Sequence, residues 1–414
     1  MRRKKLSIGT TVVLAIFTST LFMTVTRATA QEENVLHSFG PYQGSTPAAN
    51  LIFDSAGNLY GTTSAGGIGS GGTVFELMPI VGGGWTEKVL HNFNRNGTDG
   101  YYPYASLIFD TAGNLYGTTV SGGAYNWGLV FELTPTAGGG WIEKALHSFN
   151  NNGTDGNNPY SALIFDPAGN LYGTTLNGGA YNLGTVFELS PRAGGHWTEK
   201  ILHNFANGIG GSGPYAALIM DAGGNLYGAT PNGGAYSGGT VFELTPEGGG
   251  WKERVLHAFG NGTDGAFPDA GVIFDADGNL YGTTVQGGTN ANYYGTVFEL
   301  TPAAGGLWTE TALHNFNQNG TDGQLPAASL IFDAAGNLYS TTVRGGAYQE
   351  GTIFELTPVV GGSWTETILY NFNNVDRNAF NPQTALIFDA AGNLYGTTAY
   401  GGIYAYGTVF EITP

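Results

Sequence analysis

Leu107-Ile108-Phe109-Asp110-Thr111-Ala112-Gly113-Asn114-Leu115-Tyr116-Gly117-Thr118-Thr119 is the stretch that decides the fold, because it is one of seven. The same pattern starts at Leu51, Leu163, Leu218, Val272, Leu330 and Leu386, and its Asp advances along the chain by 56, 56, 55, 54, 58 and 56 residues. A unit of that length holds four short strands and cannot bury both faces of its own sheet. The units must therefore pack on one another as a repeat array or a closed ring.

Working outward from this copy, the sequence predicts strand a over residues 105–110, a tight Thr111-Ala112-Gly113 turn and strand b over residues 114–119. A longer loop through Gly122-Gly123 leads to strand c, residues 128–133, which reads GTVFEL in most other repeats. Strand d is expected over residues 141–149, with Trp141, Glu143, Ala145, His147 and Phe149 alternating onto one face. Four antiparallel strands joined by short turns describe a propeller blade.

Strand counting distinguishes a ring from an open stack. The chain stops just after the seventh c strand, and the missing d strand is found at the other end, where Val35-Leu36-His37-Ser38-Phe39 matches Val89-Leu90-His91-Asn92-Phe93. The expected fold is all-β: a seven-bladed propeller of four-stranded antiparallel blades, closed by the N-terminal strand completing the seventh blade. A β-solenoid gives no reason for this offset.

The first 30 residues read as an address. Arg2, Arg3, Lys4 and Lys5 precede an apolar stretch centred on residues 12–22, and Ala28-Thr29-Ala30 fits cleavage before Gln31. The expected division is a signal peptide, 1–30, and a single propeller domain, 31–414. Loss of the leader takes five cations from a chain of formal charge −17, leaving −17 − 5 = −22 and nine Lys and Arg. Such a protein is a poor partner for nucleic acid or anionic lipid. With no cysteine in the chain, disulfides and thiol chemistry are excluded. The reading is a secreted monomer, extracellular or periplasmic, with no membrane attachment after cleavage.

The consensus LIFDxxGNLYGTTxxGGxxxxGTVFELTP resembles the tandem repeat of exported Gloeobacter and Verrucomicrobia proteins, the GloVer repeat, over nearly all of the mature chain. The resemblance implies an exported propeller and carries no activity or catalytic residues. Relatives often end in a sorting or anchoring segment; the end at Glu411-Ile412-Thr413-Pro414 implies release. The DxxGNLY turn is also similar to blades of extracellular propellers that include lyases and lactonases, which is analogy of fold alone.

Repetition assigns most chemistry-bearing residues to the scaffold. Six His occupy equivalent d-strand positions (His37, His91, His147, His203, His257 and His314), with Tyr370 in the seventh. Strand d lies three strands from strand a, roughly 14 Å further from the axis, so these His cannot share one metal. Hydrogen bonding within or between blades is their expected role. The Asp ending strand a is expected to cap its turn, the Glu of VFEL to face solvent or a neighbouring strand, and the Trp that open d strands to pack between blades.

Outside the repeat positions, most carboxylates lie in the d-to-a and b-to-c loops, which emerge on one face. They are Asp99, Asp155, Asp264, Asp269, Asp322, Asp376 and Glu350, against Glu247 and Asp277 opposite. Asp99, Asp155, Asp264 and Asp322 belong to NGTDG loops, where alternating oxygens raise calcium as a cofactor. Two or three ligands per loop fall short of the six to eight calcium takes, and a hydrogen-bonded turn is preferred. No other cofactor is expected.

On the same face the b-to-c loops carry Tyr125, Trp127, Tyr181, Tyr236, Tyr293, Tyr294, Tyr348, Tyr404 and Tyr406, aromatic surface suited to sugars if it does not simply pack across loops. Arg344, Glu350, Asp376 and Arg377 break the consensus near the sixth blade as a mixed-charge sector. The sequence therefore points to a non-enzymatic binding or structural propeller, contacting an extracellular glycan, another polymer or a protein through this face. The alternative is a lyase or hydrolase acting there through Arg344, Asp376 and Arg377, although no nucleophile or close acid/base pair is recognisable.

Overall fold

The structure, a computed structural model, describes residues 33–206, 208–289, 294–375 and 378–413. The leader, Tyr293, Asp376 and Arg377 lie outside the described residues. Seven antiparallel sheets follow one another in the order the repeats dictate. In the second blade, strands a to d are Ile108–Phe109, Leu115–Thr119, Leu129–Pro135 and Trp141–Ser148, paired in that order. The ring closes as the sequence requires: the N-terminal strand Glu33–Ser38 pairs with the last strand, Thr408–Ile412, as strand d of the seventh blade. Among the described residues no helix is long and apolar enough to cross a membrane.

Two local features differ from the reading of the sequence. Strand a is two residues long in the second blade, not six, with the Asp110 amide closing the hairpin onto the Asn114 carbonyl. Residues before it turn instead to the preceding blade, where the Thr62 hydroxyl donates to the Ala105 carbonyl and the Asn50 amide donates to Ser106 Oγ. Strand d does not alternate without interruption either. Val130 pairs with His147 while Phe131 pairs with Ala145, leaving Leu146 as the extra residue of a β-bulge.

The core is built between blades. Phe93 of the first d strand meets Phe131 of the second c strand edge-on at 5.2 Å, and both are fully buried. The same pair recurs around the ring, from Phe149 with Phe187 to Phe372 with Phe410, and Phe39 with Phe75 joins the chain's beginning to its first blade. Such a pair contributes about 0.5–1.5 kcal/mol beyond the area it buries. Near the face, the glycine opening strand c admits the proline of the next blade. At Gly128, φ is +98° and a Cβ would lie 2.4 Å from the Thr119 carbonyl oxygen and 2.6 Å from Pro159 Cδ, so no other residue fits.

Within each blade, conserved polar positions of the repeat satisfy one another. Asp110 Oδ1 accepts from the amides of Ala112 and Asn114, while Oδ2 accepts from the Asn114 side chain and lies 3.1 Å from the Tyr116 hydroxyl. That hydroxyl also lies 3.1 Å from Glu132 Oε1. Burial alone would raise the Asp110 carboxyl, but the hydrogen bonds from Asn114, Ala112 and Tyr116 outweigh it and leave the carboxyl below its ordinary value. The Asp caps its turn as expected, and the VFEL Glu is a partner of Tyr.

Farther out, each d-strand His or Tyr faces a d-strand Glu of the following blade. His203 Nε2 is 3.6 Å from Glu253 Oε2 across the third junction. Burial pushes His203 down to about 4 and Glu253 up to about 7, so both tend to neutrality.

Phe39→Ala is expected to cost about 3–5 kcal/mol in urea unfolding, as much as Phe149→Ala; a loss below about 1 kcal/mol would show that the N-terminal strand does not close the ring. Glu253 is protonated in both folded and unfolded chains below pH 4.5, and between pH 4.5 and about 7 unfolding releases its proton, so its contribution to stability falls as pH rises. His203 acts in the opposite sense between about 4 and 6.5. Glu253→Gln should match the wild type near pH 4.5 and exceed it by about 1–3 kcal/mol at pH 8. Equal unfolding midpoints at pH 8 would contradict the assignment.

Candidate functional site

Each d-to-a loop crosses the face from the rim of the ring to its axis. Gly156–Asn157 pairs with Asn177–Gly178 of the adjoining b-to-c loop, and the chain then turns at Pro159 towards strand a. The residue after that proline borders the mouth of the axial channel. Around the ring this position is Ala48, Tyr104, Tyr160, Tyr215, Asp269, Ala327 and Gln383, and all seven line one cavity of ≈ 470 Å³.

The cavity is asymmetric. Tyr104 and Tyr160 have ring centroids 5.4 Å apart, and Tyr160 and Tyr215 are 6.4 Å apart, so three blades present a continuous aromatic crescent. Tyr215 hydrogen-bonds to Asp269 at one end. Burial raises the Asp269 carboxyl above its ordinary value, and the Tyr215 hydrogen bond opposes part of that rise. Mostly alanines line the remainder, with Asn50, Ser106, Ser329 and Gln383 as polar members. Asn50 is held by its neighbour, since its Oδ1 accepts from the Ala385 amide at 2.8 Å. The arrangement offers stacking surface on one side, and a carboxyl, a phenol and amides on the other.

Of this set the sequence singles out Asp269 alone, as one of the loop carboxylates on this face. A signal was available: the residue after the loop proline changes from blade to blade while the residues that follow it, LIFD and its variants, do not.

The aromatics singled out from the sequence are exposed but lie farther from the axis. Tyr125, Tyr181, Tyr348 and Tyr404 each follow a residue whose amide donates to a side chain of strand d: Ala124 to Ser148, Ala180 to Asn204, Ala347 to Asn371 and Ile403 to Ser38. That contact holds the loop outward. Tyr236 and Trp127 occupy the same class of loop and are likewise exposed. Among the described residues no ring contact joins any of these six to another, and all six are exposed. Arg344 pairs with Glu350 at 3.8 Å, and Glu350 accepts from the Asn374 side chain at 2.7 Å. Asp376 and Arg377, the other half of that sector, lie outside the described residues.

The NGTDG loops form turns in which Asn and Asp do not converge. Asn152 Oδ1 accepts from the Thr154 and Asp155 amides, whereas the Asp155 carboxylate turns inward to His147. Asp99, Asp264 and Asp322 make the same choice, facing His91, His257 and His314. Asp99, Asp155 and Asp322 are buried and Asp264 is half-buried, while the loop tips are exposed.

In sequence, the chain matches the model of the Gloeobacter/Verrucomicrobia repeat in three overlapping stretches, residues 9–223, 82–292 and 215–414. No curated protein matches it. Among solved structures it is similar to the extracellular domain of a hybrid two component system from B. thetaiotaomicron, with a TM-score of 0.57 and 13% identity. That likeness covers 92% of this chain but 39% of the other, so the chain spans well under half the length of its structural neighbour. At that identity the likeness bears on the fold, and it agrees with the propeller architecture. The repeat match extends over nearly the whole sequence, and the chain belongs to the Gloeobacter/Verrucomicrobia repeat family.

Proposed function

We propose that the protein is an exported, non-enzymatic binding propeller that takes a saccharide at the axial cavity, with the exposed tyrosines of the b-to-c loops as an outer contact surface for a longer polymer. The observation that carries this reading is the crescent of Tyr104, Tyr160 and Tyr215 ending at Asp269. Pyranose rings offer C–H faces that stack on aromatic rings and hydroxyls that pair with carboxylates and amides, and this cavity supplies both within reach of one sugar. The leader sequence and the acidic charge suit an extracellular setting, as does the neighbour's description as an extracellular domain.

A second reading draws on Tyr215 and Asp269. A half-buried carboxyl with a raised pKa, hydrogen-bonded to a phenol, is a combination that glycan-cleaving and eliminating enzymes use for proton transfer. Asp269→Asn separates the two, because it keeps the shape and hydrogen-bonding capacity of a binding site but abolishes proton transfer.

A glycan array followed by affinity electrophoresis on any polysaccharide retained provides the test. Tyr160→Ala is expected to weaken retention at least tenfold, by loss of a stacking face worth about 1.5 kcal/mol or more. Trp127→Ala is expected to weaken binding to long polymers only. Absence of retention by the wild type, or full retention by Tyr160→Ala, would remove the axial cavity as the saccharide site. Shortening of the polysaccharide by the wild type, absent with Asp269→Asn, would favour the enzymatic reading.

A further inference from the structure

We propose that the junction between the second and third blades and the junction between the fifth and sixth each bind a divalent transition-metal cation of the zinc class. The ligands are His147, Asp155 and Glu199 at the first and His314, Asp322 and Glu366 at the second. Three segments meet at each site: the d strand of one blade supplies His, the NGTDG loop after it supplies Asp, and the d strand of the next blade supplies Glu.

The geometry suits a small tetrahedral ion. At each junction one ligand atom from every residue lies within 4.8 Å of the other two. His147 Nε2 is 3.3 Å from Asp155 Oδ2 and 3.6 Å from Glu199 Oε1; His314 Nε2 is 3.3 Å from Asp322 Oδ1 and 3.7 Å from Glu366 Oε1. Zinc bonded at about 2.0–2.1 Å to nitrogen and oxygen sets neighbouring ligand atoms about 3.4 Å apart, close to these separations, and a water or hydroxide completes the four. One neutral imidazole and two carboxylates also match the ion's charge.

The second observation is a lack of partners. His147 Nε2, Asp155 Oδ1, Glu199 Oε1 and Glu366 Oε1 are buried without a hydrogen bond, and the Asp155 side chain is only 9% exposed. Buried polar atoms are ordinarily paired, because an unpaired one costs about 1–3 kcal/mol. At the second-third junction three residues contribute such atoms, which a cation satisfies together; at the fifth-sixth junction Glu366 Oε1 is the unpaired atom beside the His314–Asp322 pair, and single unpaired Glu oxygens such as Glu253 Oε1 recur where no Asp completes the set. The Asp residues are already oriented: Asp155 Oδ2 accepts from the Asn150 amide at 2.8 Å, and Asp322 Oδ2 from the Asn317 amide at 2.9 Å.

Other junctions are natural controls. His203 and Glu253 meet at the third, but the loop brings Gly210 where the others bring Asp: a Cβ there would fall 2.6 Å from Glu253 Oε2. At the sixth, Tyr370 replaces His and donates to Glu33 at 2.9 Å. At the fourth, His257 and Asp264 close to 2.9 Å as a direct hydrogen bond.

Elemental analysis and thermal unfolding test the proposal. The full protein is treated with EDTA, equilibrated with micromolar ZnCl2 and passed through a desalting column. Two equivalents of zinc should remain, with a melting temperature above that of the EDTA-treated protein, and CoCl2 in place of zinc should give the visible absorption bands of four-coordinate cobalt. The double variant His147→Asn with His314→Asn should lose both equivalents and the metal-dependent rise. The double variant Glu199→Gln with Glu366→Gln, nearly isosteric, should do the same with unchanged circular dichroism, which keeps the test valid if the His variants fold poorly. His203→Asn should retain two equivalents. Zinc removed entirely by desalting from the wild type, two equivalents persisting in either double variant, or an equal loss in His203→Asn would overturn the proposal; the first outcome would leave a proton shared between the carboxylates in the cation's place.

Discussion

Burial of one blade's outer phenylalanine beneath the next blade's c strand is the interaction on which everything else here depends. No sheet in this chain has a core of its own. Each hydrophobic cluster draws residues from two successive blades, as where Leu90 and Phe93 of the first pack with Leu107, Leu115 and Phe131 of the second. A linear stack would leave one such surface bare at each end. The ring removes both ends, and Leu36 and Phe39 bring the N-terminal strand into the cluster shared by the seventh and first blades. Because that packing repeats at every junction, nearly every strand position is committed to it. Freedom to vary survives only in the loops and at the few positions bordering the axis.

This explains what could be read from the sequence and what could not. Blade number, strand order and closure were legible because the 54–58 residue period and the stray d strand at residues 35–39 are properties of the chain itself. The length of strand a was not, since its limit comes from contacts to the preceding blade, such as Thr62 with Ala105. The axial set was visible as a variable letter after a proline, but its meaning depends on seven loops converging at the mouth. The outer tyrosines attracted attention by residue type, and only the amide contacts of Ala124, Ala180 and Ala347 to strand d show their radius. The histidines were correctly separated from one another, yet considering them as a set of His alone concealed that each meets an acid of the next blade.

The junction carboxylates also change how the charge of the chain is understood. The formal value of −17 counts every acid as ionised. Burial pushes Glu33, Glu87, Glu143, Glu253 and Glu310 up to about 7 and also raises Glu199 and Glu366, the last two with Asp155 and Asp322 as additional causes. Without cations, therefore, a substantial share of these groups holds protons near neutral pH. The acids of strands a and c differ, since amides, phenols and, at Glu132 and Glu243, a Lys or Arg of strand d surround them. The repeat thus holds strand-a carboxyls such as Asp110 and Asp166 below their ordinary value where donors are plentiful, and keeps raised ones between blades, where changes in solution conditions act on the contact between neighbours.

Rim and axis are joined by the covalent chain. Asp155, in the junction of the second and third blades, is five residues before Tyr160, in the middle of the aromatic crescent, and the intervening Gly156–Asn157 is tied to Asn177–Gly178. Holding the Asp155 carboxylate, whether by a proton or by a cation, removes freedom from a segment whose other end positions a stacking ring, and so reduces the entropy that ligand binding must otherwise spend. At the fifth junction the same arithmetic leads from Asp322 to Ala327, which presents no ring. The two junctions are alike in their ligands and unlike in what they support at the mouth, so a change in packing at the second junction should reach the cavity while the same change at the fifth affects the ring alone.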